Sequence, residues 1–126
     1  MAGRTHITSR KSEARFIAVC LEREWEIAKP LWHEQPFDFV MRHAGIWKTV
    51  QVKTAYNGQS GNRKSARQVS IRRANERGSR PYKTGDFDLL FVVDGSACYL
   101  IPWDAIKERT SSISVSGGKY DKWLLP

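Results

Sequence analysis

Hydrophobic residues recur along this chain with two different periods, and the change of period separates one predicted helix from several predicted strands. In residues 9–24, Glu13, Ile17, Cys20 and Glu24 follow one another at spacings of four, three and four. That spacing places them on one face of a helix. The pattern therefore predicts a helix whose partly buried face carries an acid, Glu13, near its start.

The remaining apolar segments are short and favour strands, with alternation clearest in the second and third. In the second strand Asp38 points away from Phe37 and Phe39, and in the third Gln51 and Lys53 share one face. The tight turn at residues 43–45 predicts that these two strands pair as an antiparallel hairpin. The predicted strands are residues 25–31, 37–42, 46–54, 86–93 and 97–102.

The order of elements is a helix, three strands, a polar segment and two more strands. This order predicts an α+β fold of α/β/α-like type, with a central mixed β-sheet flanked by helices. A length of 126 residues suits a single domain covering residues 1–126. No apolar run approaches the roughly 20 residues that cross a bilayer. Cys20 and Cys98 lie in apolar contexts, which predicts two buried thiols in a reducing cytosol.

Positive charge is concentrated in one segment, residues 57–83, which we interpret as a basic insertion that contacts DNA. The chain has 21 Lys and Arg against 13 Asp and Glu, a formal net charge of +8, and this segment holds eight cations against one acid, Glu76. Such a stripe suits phosphate binding, although charge alone is equally compatible with a solvated, partly disordered loop. Its first six residues have turn chemistry and are expected to be flexible, while residues 65–77 form either a short helix or an irregular arm. The predicted DNA-binding residues are Arg63, Lys64, Arg67, Arg72, Arg73, Arg77, Arg80 and Lys83.

The second and third strands together supply the groups that phosphodiester hydrolysis with magnesium requires. Magnesium prefers oxygen ligands, commonly one or two carboxylates completed by water and substrate oxygens. Asp38 provides a carboxylate, Gln51 an amide oxygen and Val52 a backbone carbonyl, and Lys53 a cation beside the reacting water. Asp38 lies next to the predicted helix that carries Glu13.

At these residues the chain resembles a known family. Pro36-Phe37-Asp38 followed by Gln51-Val52-Lys53 is similar to the signature of the PD-(D/E)XK nucleases, whose preceding helix commonly carries a glutamate, as at Glu13. The phrases QVKTA, YKTGDFDLLFVV and YLIPWDAI resemble a narrower group, the PD-(D/E)XK endonucleases associated with group I introns and their phage and bacterial relatives. Two departures are that Phe37 separates the proline from Asp38 and that Gln51 replaces the second acid. The intron-associated group also carries glutamine there.

The resemblance implies a restriction-endonuclease-like core and a Mg²⁺-dependent DNA endonuclease of homing type, with Mn²⁺ as a possible substitute. It implies that Asp38, Gln51, Val52 and Glu13 are metal ligands, with Glu13 bound directly or through water. It also implies that Glu13, Asp38, Gln51 and Lys53 are the catalytic residues. Its implied partners are double-stranded DNA and further copies of the chain, as a homodimer or higher oligomer. Its implied setting is the cytoplasm of a bacterial or phage-infected cell. Two alternatives stay open. One is a Holliday junction resolvase or other structure-selective nuclease, and the other is a non-catalytic DNA-binding module whose site has decayed at Gln51.

Overall fold

The computed structural model of the protein describes residues 4–32, 34–60, 63–75 and 78–126. The described chain starts with an α-helix and continues almost entirely as short strands. Two 3₁₀ turns lie near the C-terminus. The elements are α1 (Arg4–Glu22), β1 (Glu26–Ala28), β2 (Phe39–His43), β3 (Ile46–Thr54), β4 (Tyr56–Ser60), β5 (Arg63–Ser70), β6 (Arg72–Asn75), β7 (Gly78–Pro81), β8 (Leu89–Asp94), β9 (Ala97–Pro102) and β10 (Ser112–Ser114), with the 3₁₀ turns at Trp103–Ala105 and Asp121–Trp123.

Five strands form the central sheet, in the order β1-β2-β3-β8-β9. The β2–β3 hairpin is antiparallel, as its turn predicted, and Ala44 and Gly45 there both have positive φ, at 55° and 80°. Positive φ at both central positions is the geometry of the tight turn that suits a twisted hairpin. Strand β8 then pairs with β3 in parallel and with β9 in antiparallel orientation. The α+β class and the mixed central sheet are therefore confirmed.

Helix α1 covers one face of this sheet, and the face predicted from spacing is correct in part: Cys20 is buried, whereas Glu24 lies beyond the end of the helix. Phe16 is fully buried, and its ring centroid lies 4.9 Å from those of Phe39 and Phe91. The helix ends where Glu24 takes a positive φ of 58°, with its N–H donating to Leu21 and the following N–H donating to the carbonyl of Cys20. This pair of bonds satisfies the last helical carbonyls. The helix begins five residues earlier than predicted and ends two residues earlier.

The second face of the central sheet is covered by strands, whereas helices were predicted to flank the sheet on both sides. Within the described residues α1 is the one α-helix, and the second layer is a small antiparallel sheet in the order β10-β5-β4. This layer contributes Val69 and Ile113, which pack with Leu90 and Val92 of β8. Since Leu89 and Phe91 of β8 join the core under α1, that strand is buried on both faces.

The basic segment is strand rather than helix or irregular arm, so both alternatives predicted for residues 65–77 were wrong. It forms β5 and β6, with β6 pairing to β7 in a separate two-stranded hairpin. Residues 57–60, predicted to be flexible, belong to β4, while residues 61–62 and 76–77 lie outside the described part of the chain. Cys20 and Cys98 are free and buried, as predicted. In the described ranges no helix has the length and hydrophobicity that a bilayer crossing requires.

Candidate active site

Asp38 lies at the point where β2 separates from β3. Its side chain makes the hydrogen bond to β3 that the β2 backbone no longer makes. Its backbone N–H donates to the carbonyl of Val50 at 2.8 Å, the last bond of the ladder. Its carboxylate Oδ2 then accepts the next free N–H of β3, that of Val52, at 3.0 Å. Because backbone groups two residues apart on a strand point the same way, the Val52 carbonyl also faces the edge that β2 has left.

The side chain of Gln51 connects the two oxygens of this edge. Its Nε2 donates to Asp38 Oδ2 at 2.9 Å and to the carbonyl of Val52 at 3.2 Å. Both partners are acceptors, so this orientation places the amide nitrogen against them and turns Oε1 away. A cation entering between Asp38 and Val52 would displace that nitrogen, and a rotation of the amide would bring Oε1 to the cation.

Lys53 is a partly buried cation of the site. Its Nζ donates to the carbonyl of Arg72 in β6 at 3.3 Å and lies 5.2 Å from the ring centroid of Tyr82. Burial lowers the pKa of Lys53, and the charge of Asp38 acts in the opposite direction. The charges of the Lys53 ammonium and the Asp38 carboxylate therefore interact with each other.

Glu13 reaches the site from α1. Ser12, buried beside it, forms a hydrogen bond with the hydroxyl of Thr54, which fixes the helix to the end of β3 next to Lys53. The carboxylate of Glu13 pairs with Lys29 at 3.2 Å. A cavity of about 520 Å³ has Glu13, Asp38, Gln51, Val52 and Lys53 in its lining, so the structure brings all five predicted site residues to one space.

The electrostatics of this cavity suit a cation. Burial raises the pKa of Asp38 and the nearby charge of Glu13 raises it further, whereas the bond from the Val52 N–H and the charges of Lys53 and Lys29 lower it. A dication at the carboxylate would favour the ionised form and reverse the effect of burial. With a carboxylate, a backbone carbonyl outside the sheet ladder, an amide and a second carboxylate, the donors are the hard oxygens that Mg²⁺ selects.

Three of the arginines predicted to bind DNA each make several hydrogen bonds within the protein. Arg67 donates to Asp94, Asn57 and the carbonyl of Ala55, all within 3.1 Å, and so holds β5 against the central sheet. The guanidinium of Arg72 bonds to Ser79 and to the carbonyl of Thr110 at 3.0–3.1 Å, and that of Arg80 pairs with buried Asp86 at 2.9 Å. These contacts stabilise the basic segment itself.

Other predicted DNA-binding residues make fewer bonds within the described part of the protein. Within the described residues Arg73 makes one bond, from its guanidinium to the carbonyl of Glu34 at 2.6 Å, and Lys83 is exposed where β7 leads toward β8. The side chains of Arg63 and Lys64, and the whole of Arg77, lie outside the described part of the chain. The role of all eight as DNA ligands stays a prediction.

Sequence reasoning missed the contribution of Tyr82. The residue is buried, with its ring against the ammonium of Lys53 and against Phe87, whose ring centroid lies 5.0 Å away. Burial raises the pKa of Tyr82, as does the charge of Asp38, so its phenol stays neutral. The sequence signal was its place in the YKTGDFDLLFVV phrase. Arg72, whose carbonyl binds Lys53, had no signal apart from its charge.

Comparison with known proteins agrees with this geometry. The family model described as PD-(D/E)XK endonuclease matches residues 4–121. Protein 5.3 of Escherichia phage T7 is 33% identical over 106 residues, which cover 84% of this chain and 86% of that protein. Among solved structures, the bacterial homing endonuclease I-Ssp6803I superposes with a TM-score of 0.74 at 26% identity, covering 90% of this chain and 78% of that one. The fold is thus restriction-endonuclease-like, and the chain belongs to the PD-(D/E)XK endonuclease family.

Proposed function

We propose that this nuclease hydrolyses phosphodiester bonds in double-stranded DNA with Mg²⁺, as a homing-type endonuclease of a bacterial or phage-infected cell. The observation that carries the proposal is the meeting of Asp38, Gln51 and Val52 at the edge of β3, with their three oxygen-bearing groups around one small space. The similarity of the fold to that of a bacterial homing endonuclease supports the choice of substrate and type.

In this proposal Asp38, the Val52 carbonyl and a rotated Gln51 amide hold the ion, and Glu13 completes the set directly or through water. A divalent ion bound there supplies charge neutralisation of the phosphate and a water of lowered pKa. Lys53 orients the attacking water and stabilises the charge that develops on the phosphate. Because Gln51 contributes no charge, metal binding is weak without DNA, and the scissile phosphate completes the site.

The DNA lies along the basic segment in this proposal. Arg73 and Lys83 are the leading phosphate ligands, since Arg73 has a single internal bond in the part of the chain that the structure describes and Lys83 is exposed. Arg63, Lys64 and Arg77 remain candidates from the sequence, whereas Arg67, Arg72 and Arg80 act mainly by holding the segment in place. Two cuts in a duplex need two such sites, so we propose that the chain assembles as a homodimer or larger oligomer.

The proposal is tested by incubating the protein and Mg²⁺ with a randomised duplex library and, in parallel, with a four-way junction. Cleavage of one duplex sequence family supports a homing-type enzyme, and cleavage of the junction alone would identify a structure-selective nuclease instead. The variant Asp38→Ala is the control that separates cutting from binding, because it should abolish cutting and leave DNA affinity largely intact. DNA binding without cutting under any divalent ion would make the chain a binding module. Light scattering of the purified protein gives the number of copies.

A further inference from the structure

Arg72 lies where the basic segment meets the active site, and its backbone and its side chain make contacts with different parts of the protein. Its carbonyl accepts the hydrogen bond from Lys53 Nζ. Its guanidinium donates to Ser79 in β7, through Nε to the hydroxyl at 3.1 Å and through Nη2 to the carbonyl at 3.0 Å. Nη1 donates to the carbonyl of Thr110 at 3.1 Å. Each of the three guanidinium nitrogens is thus bonded within the chain.

The same hairpin also places Tyr82 on Lys53. In the β6–β7 register Arg72 is opposite Pro81, and the next residue, Tyr82, donates its backbone N–H to the carbonyl of Ile71 at 3.3 Å. The pairing of these strands therefore sets the position of the Tyr82 ring. Both described contacts of the Lys53 ammonium, the Arg72 carbonyl and the Tyr82 ring, depend on the position of one short hairpin.

A two-stranded hairpin is marginally stable by itself and needs bonds to the rest of the domain. The Arg72 side chain supplies such a bond through Thr110, which ties the hairpin to the segment before β10, and its bond to Ser79 holds β6 and β7 together. Lysine has a long flexible stem, so the place of its ammonium depends on the groups that hold it. A displacement of about 1 Å in a reacting group lowers cleavage rates by as much as a hundredfold.

We propose that Arg72 is a positioning residue for Lys53, fixing the β6–β7 hairpin whose carbonyl and neighbouring ring hold the ammonium, rather than a ligand of DNA phosphate. The inference rests on the proposed function, in which Lys53 acts on the attacking water. It assigns two neighbouring arginines of β6 to different tasks, with Arg73 facing DNA and Arg72 facing the protein.

Salt dependence of DNA binding separates these two tasks. Without divalent metal, Arg73→Ala should reduce the slope of log affinity against log salt by about 0.9, the value for one lost phosphate contact. Adding Arg72→Ala to Arg73→Ala should leave the slope of that single variant unchanged, since the Arg73 contact is already absent. Lys107→Ala, at an exposed position paired with Asp104, is the control for loss of one surface charge. A further reduction of about 0.9 when Arg72→Ala is added to Arg73→Ala would make Arg72 a phosphate ligand and overturn the proposal.

Cleavage rates test the effect on Lys53. At saturating DNA and Mg²⁺, Arg72→Lys should cut about tenfold or more slowly than the parent, because lysine keeps the charge but not the forked bonds to Ser79 and Thr110. Ser79→Ala leaves Arg72 in place and removes one of those bonds, so it should have the same effect to a smaller degree. Parental rates in both variants would overturn the proposal.

A spectroscopic measurement makes the inference testable independently of cleavage. In metal-free protein without DNA, the ¹³C-labelled ε-methylene of Lys53, assigned with Lys53→Arg, should show a proton shift caused by the Tyr82 ring. Arg72→Lys should move that signal toward the values of exposed lysines, and Tyr82→Phe should retain it. An unchanged Lys53 signal in Arg72→Lys would refute the positioning role even if the parent cleaves DNA. Failure of the parent to cleave any DNA would refute the proposed function alone.

Discussion

The side-chain nitrogen of Gln51 lies 2.9 Å from the carboxylate of Asp38, in the position where a second acid of the PD-(D/E)XK signature would place like charge. In the absence of metal this amide is a better neighbour for Asp38 than a carboxylate, because it donates a hydrogen bond instead of repelling. Glutamine at this position therefore avoids, in the metal-free protein, the repulsion that a second carboxylate would create. In the proposed metal site it should also weaken the affinity for the ion.

Gln51→Glu should reverse that balance. The metal-free variant should be less stable by about 1–3 kcal/mol, since the Val52 carbonyl loses its donor and two carboxylates are brought together. Its affinity for Mg²⁺ or Mn²⁺ without DNA should rise. Titration calorimetry and thermal unfolding with and without metal measure both effects. Equal metal affinity in parent and variant would contradict the placement of Gln51 at the ion.

Lys83→Ala should weaken DNA binding in proportion to one phosphate contact, with a salt slope smaller by about 0.9 and no change in sequence preference. The physical reason is that Lys83 is an exposed cation at the end of the basic segment. Fluorescence anisotropy across a series of salt concentrations measures the slope. The same slope as the parent would place the DNA away from this end of the segment.

Phe16→Ala should lower the free energy of unfolding by about 3–5 kcal/mol, because it leaves a cavity between α1 and the central sheet. Phe16 is fully buried between Phe39 and Phe91. Leu21→Ala, on the same helix but 68% exposed, is the control and should change stability by less than about 0.5 kcal/mol. Urea unfolding of both variants gives the comparison, and similar losses would show that α1 packs through another face.

Asp86 should make stability depend on acid pH. Burial alone would raise the pKa of Asp86, but bonds from Arg80 and from the Lys83 N–H outweigh it and hold the pKa below its ordinary value. A carboxyl with a lowered folded-state pKa contributes in full above its unfolded pKa of about 3.9, and the contribution is lost as pH falls through the folded value.

Asp86→Asn should therefore destabilise the protein most at neutral pH, with the difference from the parent shrinking as pH falls below about 4. Urea unfolding at a series of pH values measures this difference. Lys83→Ala, which keeps the backbone N–H that bonds to Asp86, is a control for loss of charge nearby. A difference that stays constant down to the lowest pH would exclude Asp86 as the responsible group.

Local patterns predicted the part of the site built from neighbouring strands. The alternation in β2 and β3 and the turn at residues 43–45 place Asp38 beside Gln51, and both facts are readable from short stretches of sequence. The 3.6-residue spacing likewise placed Glu13 on the face of α1 that meets the sheet. Such features depend on period and turn chemistry, which are local properties.

What the sequence did not reveal depends on contacts between distant residues. Val69 and Ile71 are buried, but the polar residues around them concealed the strand pattern of β5 and β6. The charge of Arg67 predicted a DNA ligand, whereas its bonds to Asp94 and Asn57 arise from a fold that brings β4, β5 and β8 together. A guanidinium bound to phosphate and one bound to a carboxylate have the same sequence signature.

The parallel pairing of β3 with β8 makes the basic segment a part of the fold that tolerates insertion. Parallel neighbours need a long connection, and here that connection contains the whole basic segment. Lengthening a connection whose ends are already fixed side by side changes the entropy of closure only slowly. The connection can therefore be exchanged or extended at little entropic cost, while the pairing of β3 with β8, and with it the strand that holds Gln51 and Val52, is kept.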